Sequence, residues 1–347
     1  MTETNERKSP EEIKTRILEA LNDKPLNAQE ISKSICSNWS TVKTYVEELA
    51  REGKIKEISF RGNSFYQKII EDTYFNIPIK EAEREKFKFI FYNAIKIYKE
   101  RTGKQIRRTE LAKLSAELNT DLKLNLPIVW YIYGPMPLMI IDFQKDYTPK
   151  RIPENAREIE KAIDNWIKNS VRDRISELKI EYYQKSKNAV YFLKESIYQN
   201  LEKGKYDSIS NILFEFLSAV ISYDKKFKEL VYELYEIASA SEYIKLFEKK
   251  EFQNKFLLAF DSLWKYLASN MIFESLIGLG YSKEETELLI GPTIETKNHF
   301  ASENMSELKE YFLEHLPEKV PIPKFSEMTE EARRIIDQWT DSGVWRE

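Results

Sequence analysis

Few side chains in this sequence suit covalent or metal chemistry. It has two histidines, His299 and His315, and one cysteine, Cys36. These leave little material for a Cys/His zinc set or for a Cys-His or Ser-His-Asp nucleophile. The spacings G-x-G-x-x-G, G-x-x-x-x-G-K-[ST] and H-E-x-x-H do not occur. Glu177 and Lys179 stand at a spacing that metal nucleases use, but they lie in a helical run rich in Lys and Glu, where such pairs arise by chance. No enzyme activity, cofactor or metal is expected. The chemistry favoured instead is reversible binding. Trp39, Ser40, Lys43 and Thr44 gather an aromatic ring, two hydroxyls and an amine within six residues, the groups that meet sugars, phosphates and base edges.

These side chains need a rigid element to present them. Ser9-Pro10 opens a first helix with a capping hydroxyl and a proline that needs no partner for its missing N–H. Ile13, Ile17, Leu18 and Leu21 follow at helical spacing, and the helix should stop near residues 22–24, before Pro25. Asn27 caps a second short helix carrying Ile31 and Ile35, and after a tight "CSN" connection Asn38 caps a third. That third helix buries Val42, Val46 and Leu49, ends at Gly53, and turns Trp39, Ser40, Lys43, Thr44 and Glu47 outward. The period then changes: "KIKEISF" and "SFYQKII", split by "RGNS", read as a β-hairpin.

Three helices and a hairpin in about 60 residues describe a winged helix-turn-helix. The stretch "LNAQEISKSICSNWSTVKTYVEELAREGKI" resembles the winged-helix family of prokaryotic, especially archaeal, regulators. The resemblance covers residues 9–69 and implies that the third helix enters a DNA major groove. Ser40, Lys43 and Thr44 are the leading contact candidates, Lys43 for guanine or phosphate, with Trp39 packing on a sugar edge or bracing the turn. Arg61 and Asn63 at the hairpin tip are similar to wing residues that reach a minor groove, and Lys54, Lys56 and Lys68 add candidate phosphate contacts.

Charge leaves a second reading open. The chain carries a net −3, and residues 1–70 hold 12 basic and 11 acidic side chains, little for an isolated DNA binder. Residues 37–68 hold six basic and four acidic ones, and Glu47 and Glu48 would lie near docked phosphates. The expected function is a DNA-binding transcriptional regulator acting on double-stranded DNA as a homodimer. The alternative is an interaction scaffold or antitoxin-like protein whose winged unit grips protein.

The rest reads as a large all-α bundle, so the fold class is mainly α. The expected organisation is a winged unit over 1–70, a connector over 71–79 ("EDTYFNIPI"), a helical subdomain over 80–150, a helical bundle over 151–300 and an acidic helical tail over 301–347. In the subdomain Phe87, Ile90, Phe91, Ala94, Ile95 and Tyr98 form one helical face, and Thr109 is read as the cap of "ELAKLSAEL". The following segment "IVWYIYGPMPL" is similar to the Panacea or SocA-like domain of antitoxins and phage-associated proteins, around residues 85–145. Read from its residues alone, it is a buried turn freed by Gly134 and stiffened by Pro135 and Pro137. From Glu154 to Lys203 there is no Gly or Pro, and Ile159, Ile163, Ile167, Val171, Ile175, Leu178 and Tyr182 recur at helical spacing. This marks one long helix or two joined ones, with a seam for intramolecular packing or for a second copy. A partner or effector could engage the helical body. The acidic tail holds 11 acidic and six basic residues over 301–347 and can shield the wing or remain a solvated face.

The longest uncharged apolar run, residues 126–141, contains three prolines and is shorter than the ~20 residues a spanning helix needs. No membrane association is expected. Without a secretory leader or paired cysteines, a reducing cytoplasm is the expected location, on the nucleoid when DNA is bound.

Overall fold

The computed structural model describes residues 9–22, 24–60, 62–70, 73–170, 183, 189–220 and 225–316. The fold is mainly helical, 70% helix and 8% strand, with a small antiparallel sheet near the N-terminus followed by helices. The described residues divide into two compact units, each discontinuous in sequence. The first spans 1–173 and 268–295, the second 174–267 and 296–347. These divisions do not follow the consecutive segments expected, because helices far along the chain complete the first unit.

The first unit begins with α1 (Pro10–Ala20), β1 (Leu26–Asn27), α2 (Ala28–Ser34), α3 (Trp39–Arg51), β2 (Ile55–Phe60) and β3 (Asn63–Lys68). The caps read from the sequence for α1, α2 and α3 are present. Ser9 Oγ accepts from Glu12 N at 3.2 Å, and Asn38 Oδ1 accepts from Ser40 N at 2.9 Å. Asn27 Oδ1 accepts from Glu30 N while the Glu30 carboxylate accepts from Asn27 N, a reciprocal pair that satisfies two orphan donors. Gly53 takes the left-handed conformation (φ 69°) that ends α3. Ile17, Ile31, Val42, Val46 and Leu49 are fully buried together with Ile55 and Tyr66. The two-residue β1 is an addition to the expected elements. It joins a sheet of order β1-β3-β2, Leu26 opposite Tyr66.

A single 3₁₀ turn, Tyr74–Asn76, follows, and Phe75 (φ 58°) and Asn76 (φ 53°) both occupy the left-handed region, a strained choice for non-glycine residues. The turn is held on every side. Tyr74 N donates to Leu138 O (2.8 Å), Gln67 Nε2 donates to Asn76 O (3.0 Å), and Ile70 N donates to Asn76 Oδ1 (3.1 Å). The Phe75 ring meets Tyr131 edge-on at 5.4 Å.

Next come α4 (Glu81–Thr102), α5 (Arg108–Asp121), β4 (Ile128–Tyr131), β5 (Gly134–Pro137) and α6 (Ala156–Ser170). The aromatic face of α4 is buried at Phe87, Ile90, Phe91, Ala94 and Tyr98, with Ile95 at its edge. The start of α5 differs from expectation. Thr109 lies inside the helix, and the buried Glu110 carboxylate closes its end by accepting from Arg107 N (2.8 Å) and Arg107 Nη2 (2.6 Å). The Tyr-Gly-Pro segment is also corrected, from a turn to an antiparallel pair, Tyr131 opposite Gly134 and Ile128 opposite Pro137. Pro135 and Pro137 are two apart, so the N–H each lacks would point off the pair, while Leu138 N, in the other phase, donates to Pro127 O at 3.0 Å.

Four residues on α10 (Lys250–Gly278) and α11 (Lys283–Glu314) complete this unit's second core: Ile272, Leu276, Leu289 and Ile290 pack with Ile77, Val129 and Leu138. Ser275 Oγ accepts from Trp130 N, and Tyr281 Oη donates to Pro78 O at 2.7 Å.

The second unit holds α7 (Ala189–Glu202), α8 (Ile209–Ala219), α9 (Lys225–Tyr243), the first part of α10 and the last part of α11. Its core is aromatic: Trp264 meets Tyr191 edge-on at 4.9 Å and packs near Phe216. Glu242 fastens α8 to α9 by accepting from Ser210 N and Oγ.

The long run over 154–203 is helical at α6 and α7. Its Val171, Ile175, Leu178 and Tyr182 lie outside the described residues, as do Glu177, Lys179 and residues 317–347. Ile159, Ile163 and Ile167 are buried within the chain, so this part of the seam serves intramolecular packing, the first of its two expected uses. Residues 301–314 finish α11 and do not begin a separate tail. Among the described residues no helix is long and apolar enough to cross a membrane.

Candidate nucleic-acid interface

The inward set Val42, Val46 and Leu49 fixes the roll of α3 and leaves Trp39, Ser40, Lys43, Thr44, Glu47 and Arg51 exposed along one flank. Trp39 keeps 51% of its surface in solvent, and the Lys43 ammonium lies 5.4 Å from its ring centroid, a cation–π pair at the helix start. Ser40 Oγ donates to Asn38 Oδ1 (2.8 Å) and Thr44 Oγ1 to Ser40 O (3.1 Å). Both hydroxyl protons are thus engaged locally, while their oxygens keep lone pairs to accept from base amino groups.

Of the two acids expected near this flank, Glu48 is drawn away from it and Glu47 is not. Lys14 of α1 lies 3.0 Å from both Glu48 and Glu52. Hydrogen bonds that Lys14 donates to Glu48, then to Glu52, hold its ammonium well above the ordinary lysine range. Glu52 also meets Lys54 at 2.7 Å, and Lys54 first, then Lys14, keep its carboxyl below the usual value. Glu47 is the acid left on the α3 flank.

The hairpin divides the remaining candidates. Cross-strand pairs share a face, so Ile55 and Tyr66 point to the three-helix core while Lys56, Ile58, Phe65 and Gln67 point the opposite way. That second face is buried at Ile58 and Gln67, and burial pushes the half-buried Lys56 ammonium down. Lys68 donates to Asn22 Oδ1 at 2.7 Å. Neither lysine joins the α3 flank. Lys54 and Asn63 are exposed, and Arg61 lies outside the described residues.

Reading α3 alone passes over Lys33. On α2 the buried Ile31 and Ile35 force residue 33 outward, and Lys33 is exposed beside the α2–α3 turn. Cys36 (φ 51°) supplies the left-handed residue of that turn, which Ser32 Oγ ties by donating to Ser37 O (2.7 Å).

No family model matches the chain, and no match was found among curated proteins or solved structures.

Proposed function

We propose that this protein is a DNA-binding transcriptional regulator that docks the exposed flank of α3 on duplex DNA. The observation that carries this reading is the flank itself: Trp39, Ser40, Lys43 and Thr44 stand on a rigid, capped helix, exposed to solvent, while Lys14 and Lys54 pair with the neighbouring Glu48 and Glu52. Arg51 and Lys33 extend the positive rim. In this reading phosphate contacts fix the register and Lys43 samples base edges. Two copies on adjacent half-sites supply the avidity that one weakly charged unit lacks.

A second reading, a protein-binding module, is favoured by one observation: Lys56 lies half-buried on the hairpin face opposite the three-helix core and Lys68 is tied to Asn22, which thins the positive surface beside α3. Salt separates the two. Duplexes are selected from random DNA with the full chain, and affinity is then followed against ionic strength. Regulation by DNA binding requires log affinity to fall linearly with log salt, by about 0.9 per phosphate neutralised. Failure to enrich any duplex, or a flat salt response, overturns it in favour of the protein-binding module.

A further inference from the structure

The first unit contains an open groove of about 1280 Å³ that the α3 flank does not use. Its walls are the last residue of β3 and the two that follow it (Lys68, Ile69, Ile70), the cap and first turn of α4 (Lys80, Glu81, Glu83, Arg84), the 125–127 loop and the α10–α11 turn. It exceeds the ~300–1,000 Å³ of common small-molecule sites, so it has room for a ligand with an extended body. We propose that this groove binds a small phosphate ester with a flat apolar portion, of the nucleoside-phosphate class.

The argument rests on how its charges are committed. Each carboxylate in the lining has a partner, but Glu83 is held by a neutral amide and keeps its charge, and Glu285 meets a cation, Lys24, only at 4.0 Å. Glu81 pairs with Arg84 at 3.4 Å, Glu83 accepts from Lys80 N at 3.0 Å, and Glu285 accepts from Ser282 N at 2.9 Å. The cations are in surplus. Among the described residues Lys68 meets a neutral partner, Asn22, and the ammonium groups of Lys68, Lys80 and Lys145 meet no carboxylate at ion-pair distance. Positive groups lining a concave surface favour a multiply charged anion, and phosphate offers several acceptor oxygens to more than one ammonium donor. The rest of the lining suits a flat body. Pro78, Ile79, Leu126, Pro127 and Tyr281 form apolar wall, and the Tyr281 ring is fixed by its hydroxyl bond to Pro78 O. Glu83 and Glu285 line the same groove as that ring and can accept from amino or hydroxyl groups of the ligand; burial first, then these two carboxylates, pushes the Tyr281 phenol up to about 12.

The test uses the full chain without DNA, so it stands or falls independently of the regulator reading. ATP, AMP and tripolyphosphate are titrated calorimetrically into the wild type, Lys80→Gln/Lys145→Gln and the control Lys104→Gln, an exposed lysine outside the groove. The substituted lysines are on the surface, and thermal unfolding checks that each variant is folded. The expected result is ATP binding to wild type and control, tighter than tripolyphosphate, and at least about tenfold weaker in the double variant, since a charge-assisted hydrogen bond is worth about 1.5–3 kcal/mol. Absence of ATP binding to the wild type overturns the proposal. So does equal affinity in the double variant, or tripolyphosphate binding as tightly as ATP, which would remove the role of the flat body.

Discussion

Lys43 carries the sharpest expectation at the residue scale, because it combines exposure, charge and a ring beneath it. Lys43→Ala should weaken a selected duplex by about 1–3 kcal/mol if the ammonium reads guanine, and less, uniformly across sequences, if it meets phosphate. Fluorescence anisotropy on matched and mismatched duplexes distinguishes these outcomes, and unchanged affinity removes Lys43 from the interface. Glu85 tests the body. It is 4% exposed, accepts from Lys150 N (2.6 Å) and Arg151 N (3.1 Å), and pairs with Lys88 at 2.7 Å. Lys88 and then, against the cost of burial, the two amides keep its carboxyl low. Glu85→Ala should cost about 1.5–3 kcal/mol in denaturant unfolding. The Lys14 cluster gives a pH expectation. A depressed Glu52 stabilises above its ordinary 4.5 and loses that stabilisation as pH falls through its folded value; a raised Lys14 stabilises below its ordinary 10.5 and loses it as pH rises through its own. The cluster is therefore intact between those limits. Lys14→Met should flatten the acid-side slope of melting temperature against pH, most visibly at low salt.

At the element scale the 3₁₀ turn is the most constrained feature. Asn76 holds a positive φ and bonds Ile70 N through its side chain. Asn76→Ala loses the bond and keeps the strain, whereas Asn76→Gly loses the bond and relieves the strain. The alanine variant should therefore be the less stable of the two by about 1 kcal/mol. Chemical denaturation measures the difference, and the reverse order would show that the extra chain entropy of glycine outweighs the strain it relieves. The caps of α1, α2 and α3 are legible in the sequence because each is settled within four residues by a side chain reaching its own backbone. The β4–β5 pair is not. Pro135 and Pro137 argue against a strand until the phase of their missing donors is known, and a strand pairing supplies that phase. Lys56 departs from expectation for a related reason. Alternation places it on one face of the hairpin, but only the body decides whether that face meets water.

At the scale of the whole molecule, the first unit is completed by residues 268–295. A chain ending at residue 170 lacks Ile272, Leu276, Leu289 and Ile290 and exposes their partners Ile77, Val129 and Leu138. It should unfold over a broad, weakly cooperative range, while the full chain shows a sharp first-unit transition. A calorimetric scan of both checks this, and an equally sharp transition in the fragment would show that the second core is dispensable. What the sequence by itself determined is local: helix starts and stops, the hairpin turn, the inward stripe of α3 and so the identity of its outward residues. Caps and periodicity depend on neighbours three or four positions away, and those are written in order along the chain. Only the tertiary structure decided which acids near α3 are neutralised by Lys14, which face of the hairpin is buried, and which distant helices share a core. Those outcomes depend on contacts between residues tens to hundreds of positions apart, where burial and desolvation, not local propensity, set the free energy.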